Sequence, residues 1–213
     1  MPKSQPTNAP KPQPTTIHAA YSAFLDSRQA LNVTPRTLDT YRERLGKFVT
    51  WCTENRNVAT VDAITAAVVR AYLVHEQGRG LSPWTVHGAA RAIRAFLRFC
   101  ADDGLIDAAP KFSMPKLPKE TLPAFDPADV ARLLDACEVT RDKLIVLTLL
   151  DTGLRAAELV ALDGRDIDPA TGAVNVRQGK GRKDRTVYLG TRTRRELARY
   201  WREVGKPLDH APV

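Results

Sequence analysis

Apolar side chains in the first half of the chain recur at helical spacing. Ile17, Ala20, Tyr21, Phe24 and Leu25 make one amphipathic face. Leu38, Tyr41, Leu45, Phe48, Val49 and Cys52 follow at spacings of 3, 4, 3, 1 and 3 and make a second. A third runs through Val68, Val69, Tyr72 and Leu73, and a fourth through Val86, Ala90, Ile93, Leu97 and Cys100. The punctuation between these runs agrees with them. Thr34-Pro35 and Ser82-Pro83 each pair an N-cap hydroxyl with a proline suited to the first helical turn. Thr65 can cap the third helix, and Gly78 and Gly104 stand where the third and fourth end. Four short helices without strands predict a small bundle over residues 15–109. On the fourth helix Arg91, Arg94 and Arg98 recur at spacings of 3 and 4 away from the apolar side, and are expected to share an outward face.

The pattern then breaks. Pro110, Pro115, Pro118, Pro123 and Pro127 interrupt a stretch that cannot continue a helix, which predicts a linker over residues 110–125. A second domain is expected from 126 to 213. Asp126-Pro127 is a third cap-and-proline pair, leading into Val130, Leu133, Leu134 and Cys137. Leu144–Leu150 is apolar all round and predicts a central, buried helix ending at Thr152-Gly153. A short helix should hold Ala156–Leu162. The period then changes from helical to alternating at Ala173–Arg177 and again at Asp184–Leu189, with Gln178–Lys183 between them. That predicts a β-hairpin with a glycine-rich basic turn. Thr191 is expected to cap a last helix carrying Arg192, Arg194, Arg195, Arg199 and Arg202.

Composition narrows the class. The chain has 213 residues, of which 43% are hydrophobic and 26% charged, as in ordinary soluble domains. Residues 1–14 hold five prolines and almost no apolar side chains, which predicts a disordered tail. No apolar run approaches the ~18 residues needed to span a bilayer, and the N-terminus lacks the apolar core of a secretory signal. The expectation is a cytoplasmic protein, neither membrane-bound nor secreted. Cys52, Cys100 and Cys137 are far apart, form no CxxC, and read as small buried hydrophobes with no metal implied.

Charge points to a partner. The net charge is +8, and Arg177–Arg202 alone carries ten basic residues against Asp184 and Glu196. A focused basic segment of this kind suits a polyanion such as nucleic acid, although a solvated helix face would look the same by charge alone.

Two places carry candidate chemistry. In Thr152-Gly153-Leu154-Arg155-Ala156-Ala157-Glu158 an arginine follows a helix-ending glycine, and a glutamate stands three residues on, within side-chain reach. Such an arginine could present its planar fork to a phosphate while the carboxylate holds it; a purely structural ion pair would have the same spacing. In Gly179-Lys180-Gly181-Arg182-Lys183-Asp184-Arg185 the glycines leave a lysine on an exposed turn, where it could serve as a cation or proton donor, or simply be solvated. The GxxxxGK[ST] spacing of a nucleotide phosphate loop is absent.

Together, "DTGLRAAELVALDGRDID", a strand, "GKGRKDRTVYLG" and a basic helix resemble the tyrosine recombinase (phage integrase, Xer-like) family. The resemblance spans about residues 15–210. It implies a mainly α protein: a SAM-like four-helix core-binding domain, then an incomplete α+β catalytic domain with a small β-hairpin, the two clamping opposite sides of duplex DNA. It implies strand cleavage through a 3′-phosphotyrosine and rejoining, without cofactor or metal, by protomers that act as tetramers. Arg155 matches the catalytic arginine on the scissile phosphate, Glu158 the acidic residue that orients it, and Lys180 the hairpin lysine at the leaving 5′ oxygen. Arg91, Arg94, Arg98, Arg182, Lys183 and Arg185 are the expected DNA contacts.

One departure is large. The family completes its site with a His-x-x-Arg and a tyrosine nucleophile. His18, His75, His87 and His210 are the only histidines, and none has an arginine three places on. Tyr21, Tyr41 and Tyr72 precede Arg155, while Tyr188 and Tyr200 lie in the predicted hairpin and basic helix. The expectation is a C-terminally shortened recombinase that binds DNA without cutting it and exposes apolar surface in its second domain. The alternatives are a non-catalytic DNA-binding regulator on the same fold and a helical interaction module unrelated to DNA.

Overall fold

The computed structural model describes residues 15–119, 124–177 and 184–207. The proline-rich tail expected over 1–14 lies outside the described residues. The chain divides into two compact units, one ending at Thr121 and the other beginning at Leu122.

The first unit is the expected four-helix bundle: α1 (Ile17–Ala30), α2 (Pro35–Arg56), α3 (Ala66–Gly78) and α4 (Pro83–Asp102). Three of the four starts have the anticipated chemistry. Thr34 Oγ1 accepts from the Thr37 N–H, Thr65 Oγ1 from Val68 and Ser82 Oγ from Thr85, satisfying donors that the first turn leaves open. Gly104 takes the left-handed conformation (φ 71°) just past α4. Ile17, Phe24, Leu45, Phe48, Tyr72, Ile93, Phe96 and Leu97 form a fully enclosed core. Phe24 meets Tyr41, Phe96 and Phe99 edge-on, the arrangement that ring quadrupoles favour. Cys52 and Cys100 are buried in it, and burial pushes both thiols up to about 12.

The expected linker is only partly one. Its first residues lie along α4 as an extended strap. Arg94 Nη2 donates to the Phe112 carbonyl (2.9 Å) and stacks over the Phe112 ring, 5.2 Å from its centroid. His87 Nδ1 lies 2.9 Å from the Pro115 carbonyl oxygen, and Phe112 and Met114 pack against the bundle core. A proline-rich segment has no helical bonds of its own to make, so its carbonyls take side-chain partners.

The second unit contains α5 (Pro127–Asp135), α6 (Thr140–Thr152), α7 (Ala156–Val160), a single 3-10 turn (Gly164–Asp166), β1 (Ala173–Val176), β2 (Arg185–Tyr188) and α8 (Thr191–Val204). β1 and β2 pair antiparallel, with Ala173 opposite Tyr188 and Val176 opposite Arg185. Leu144, Leu154, Leu162, Val174, Val176, Leu197 and Trp201 form the core between α6, the hairpin and α8.

Two expectations are corrected here. Thr191 is the first residue of α8, and Gly190 is its cap position. The capping oxygen comes from α6 instead: Asp151 Oδ2 accepts from the Gly190 N–H (2.7 Å) and the Thr193 hydroxyl (2.5 Å). The all-apolar segment of α6 is buried on one side only. Leu144 and Leu147 are enclosed, but Ile145 and Leu150 are exposed, the latter at 48%.

Candidate functional site

The site is built where α6 ends. Gly153 adopts φ 61°, a conformation that costs a side chain about 1 kcal/mol or more and that glycine takes freely. This ends α6 and turns the chain, so that Arg155 becomes the cap residue of α7 with Glu158 one turn on. The 3-residue spacing then closes a local ring. Glu158 Oε2 accepts from the Arg155 backbone N–H at 2.9 Å, and Oε1 from Arg155 Nη1 at 2.8 Å.

A third group completes this arrangement. Arg185, first residue of β2, approaches from the hairpin and donates Nη1 to Glu158 Oε1 (2.9 Å) and Nη2 to Oε2 (2.7 Å). One carboxylate thus takes four hydrogen bonds from two arginines. The Arg185 fork, followed by the Arg155 backbone N–H, holds the Glu158 carboxyl down to about 2. The side chains differ in exposure: Glu158 is 10% exposed, Arg185 36% and Arg155 59%. Arg155 therefore keeps more than half of its side chain exposed while Nη1 is held on the carboxylate.

A similar pairing holds the other strand. Arg177 Nη2 donates to Asp163 Oδ2 (2.7 Å) and to the buried Asp166 Oδ2 (2.6 Å). The two carboxylates raise the Arg177 pKa, Asp163 first. Asp168 works locally, accepting from the Thr171 hydroxyl and the Ala170 N–H, which together lower its carboxyl pKa.

The structure brings Arg155, Glu158 and Arg185 together. Lys180, Arg182 and Lys183 lie outside the described residues. Within the first unit, Arg91 and Arg98 are exposed on α4 as expected, whereas Arg94 is half-buried beneath the Phe112 strap and uses its charge there. On α8, Arg192, Arg195, Arg199 and Arg202 are exposed; Arg194 is drawn inward, its Nε donating to the Pro169 carbonyl and its Nη2 to that of Ala170. Tyr188 is exposed at the end of β2, and Tyr200 is half-buried on α8. Among the described residues no group of three or more His, Cys, Asp or Glu is placed to hold a metal ion. None of the described helices is long and apolar enough to cross a membrane.

The described residues thus combine a four-helix bundle, a helical unit with one hairpin and a braced arginine, the arrangement that the resemblance to tyrosine recombinases implies. The comparisons with known proteins agree. Residues 20–104 match "Phage integrase, N-terminal SAM-like domain" and residues 123–211 match "Phage integrase family". The chain is 31% identical over 211 residues to tyrosine recombinase XerC of Xanthomonas campestris pv. campestris, covering 95% of this chain and 64% of the relative. It is 31% identical over 179 residues to tyrosine recombinase XerA of Thermococcus kodakarensis, covering 83% of this chain and 58% of that protein. The fold is shared with a lambda integrase dimer bound to a COC′ core site (TM-score 0.73, 15% identity, 94% of this chain and 59% of that one). It is also shared with the Tn1549 transposon integrase in complex with circular intermediate DNA (TM-score 0.70, 21% identity, 88% and 65%). The chain belongs to the tyrosine recombinase (phage integrase) family. It spans about 58–64% of the length of these curated relatives.

Proposed function

We propose that this protein binds duplex DNA at recombination sites and that Arg155 engages the phosphodiester at which strands are exchanged. The observation that carries this reading is the geometry at Glu158: an arginine side chain more than half exposed and held to the carboxylate through Nη1 and its own backbone N–H. A phosphodiester gains charge as it is attacked, and a guanidinium fixed in advance stabilises that charge without reorganising. The exposed Arg91 and Arg98 on α4, and Arg192, Arg195, Arg199 and Arg202 on α8, supply the sequence-independent affinity for the backbone. Lys180, Arg182 and Lys183 belong to the same reading through their place in the motif, Lys180 as donor to the leaving oxygen.

The 213 residues contain no His-x-x-Arg. We therefore infer that these 213 residues by themselves hold DNA without cutting it, and that strand exchange requires further recombinase groups. Fluorescence anisotropy with a long duplex tests the binding. The expected outcome is an affinity that falls steeply between 50 and 200 mM salt, about a thousandfold for some six neutralised phosphates, and that weakens about tenfold on Arg155→Ala. Absence of binding at low salt would return the protein to the class of helical interaction modules. A nicked or covalently linked product would show that the polypeptide carries its own nucleophile.

A further inference from the structure

Glu158 alone would neutralise Arg155. Two unit charges of opposite sign 2.8 Å apart present a dipole to an approaching phosphate, not a cation. The fork from Arg185 changes this balance. With Arg185 on the same carboxylate, the cluster of two guanidiniums and one carboxylate carries a net charge of +1. All four hydrogen bonds to Glu158 are then made from protein donors, two of them from Arg185. The carboxylate has little freedom to swing outward, and its side chain is only 10% exposed.

We infer that Arg185 is a positioning residue. By saturating Glu158 with a two-pronged fork, it fixes the carboxylate that orients Arg155 and leaves Arg155 a net cation for the phosphate. This rests on the proposed role of Arg155, and it reassigns Arg185 from the row of expected DNA contacts. The spatial argument is direct. Both Arg185 Nη atoms are used on one carboxylate at 2.7 and 2.9 Å, so contact with DNA through the same atoms would require breaking that pair. A lysine at this position would keep the charge but would supply a point donor without the planar fork.

Two measurements on the full chain test the assignment. The first is duplex affinity in a double-mutant cycle of Arg185→Lys with Arg155→Ala. A positioning role predicts that Arg185→Lys weakens binding roughly fivefold to tenfold in the wild-type background and has no further effect once Arg155 is gone. Equal losses in both backgrounds, or no loss in either, would overturn it, because a direct phosphate contact does not depend on Arg155. The second is the carbon-13 titration of the Glu158 carboxyl by NMR, which needs no DNA. In the wild type it should stay ionised well below the ordinary carboxylate range, and in Arg185→Lys its midpoint should move up. A Glu158 that titrates normally in the wild type refutes the fork. A fork confirmed by NMR in a protein that does not bind duplex at low salt refutes the DNA reading instead. Arg185→Gln, checked for a native thermal transition, serves as a second variant and should shift the carboxyl further than lysine does.

Discussion

Glu158 fixes the pH behaviour of its surroundings. Its carboxyl lies at about 2 in the folded protein against 4.5 for an ordinary glutamate. A lowered native pKa means that folding favours the ionised form, so its contribution to stability is complete above the ordinary value and is lost as pH falls through the native one. Glu158→Gln removes the charge at every pH. The difference in urea midpoint between wild type and Glu158→Gln should therefore be constant from about pH 8 to about pH 5 and shrink progressively at lower pH. A gap that persists unchanged as far down as pH 2 would show that the loss comes from shape rather than charge. At this scale the sequence was legible where partners are local. Arg155 and Glu158 stand three apart, and the spacing alone puts them on one helical turn. Arg185 is 27 residues from Glu158 and Arg177 is 11 from Asp166, and those separations carry no pairing signal. In the sequence both arginines read as members of a basic run; only the antiparallel register of β1 and β2 brings them to α7 and the 3-10 turn.

The elements repeat this contrast between local and distant causes. Three helix starts were readable because cap and proline are adjacent: Thr34-Pro35, Ser82-Pro83 and Asp126-Pro127 all begin helices as expected. The start of α8 departs from the expected Thr191 cap because its capping group, Asp151, is 39 residues away. Gly190 permits the approach, since a Cβ there would come within 3.1 Å of the Asp151 carboxylate. Asp151 thereby ties the C-terminal turn of α6, just before Gly153, to the N-terminus of α8. Asp151→Ala leaves the Gly190 N–H and the buried Thr193 hydroxyl without this acceptor and should cost about 1–2 kcal/mol. Asp151→Asn, which keeps an acceptor oxygen, should cost less. Chemical denaturation followed at Trp201, on the buried face of α8, measures both; equal losses in the two variants would show that charge at the helix terminus matters rather than the acceptor. The strap on α4 likewise has distant causes. Proline content identifies a segment that is not helical, but it cannot tell a free linker from one laid against Arg94 and His87.

At the scale of the molecule the two units differ in how completely they cover their apolar surface. In the first, four helices enclose Phe24, Phe48, Tyr72, Ile93 and Phe96, and edge-on aromatic contacts link all four elements. In the second, a smaller core lies beneath one hairpin and α8, while Phe125 and Val160 are each 80% exposed and Ile145 and Leu150 face outward from α6. Buried apolar area is the main favourable term in folding, about 25 cal/mol per Å², so a unit that leaves large side chains in water forgoes much of it. The two units should therefore not unfold together. Urea titration of the intact chain should show a first transition reported by Trp201 on α8 and a second, at higher denaturant, reported by Trp51 in the enclosed bundle. Single-tryptophan variants separate the two signals, with Trp84, exposed at the start of α4, replaced in both. Limited proteolysis gives the independent measure: fragments bounded near the Thr121–Leu122 division should accumulate with the bundle intact and the second unit degraded. Coincident transitions and equal resistance to protease would mean that the exposed side chains on α6 and α7 cost the second unit nothing. Addition of duplex DNA should move the first transition upward by mass action if Arg155 and the α8 arginines meet the phosphate backbone in the folded state, because the unfolded unit presents no arranged cations to it.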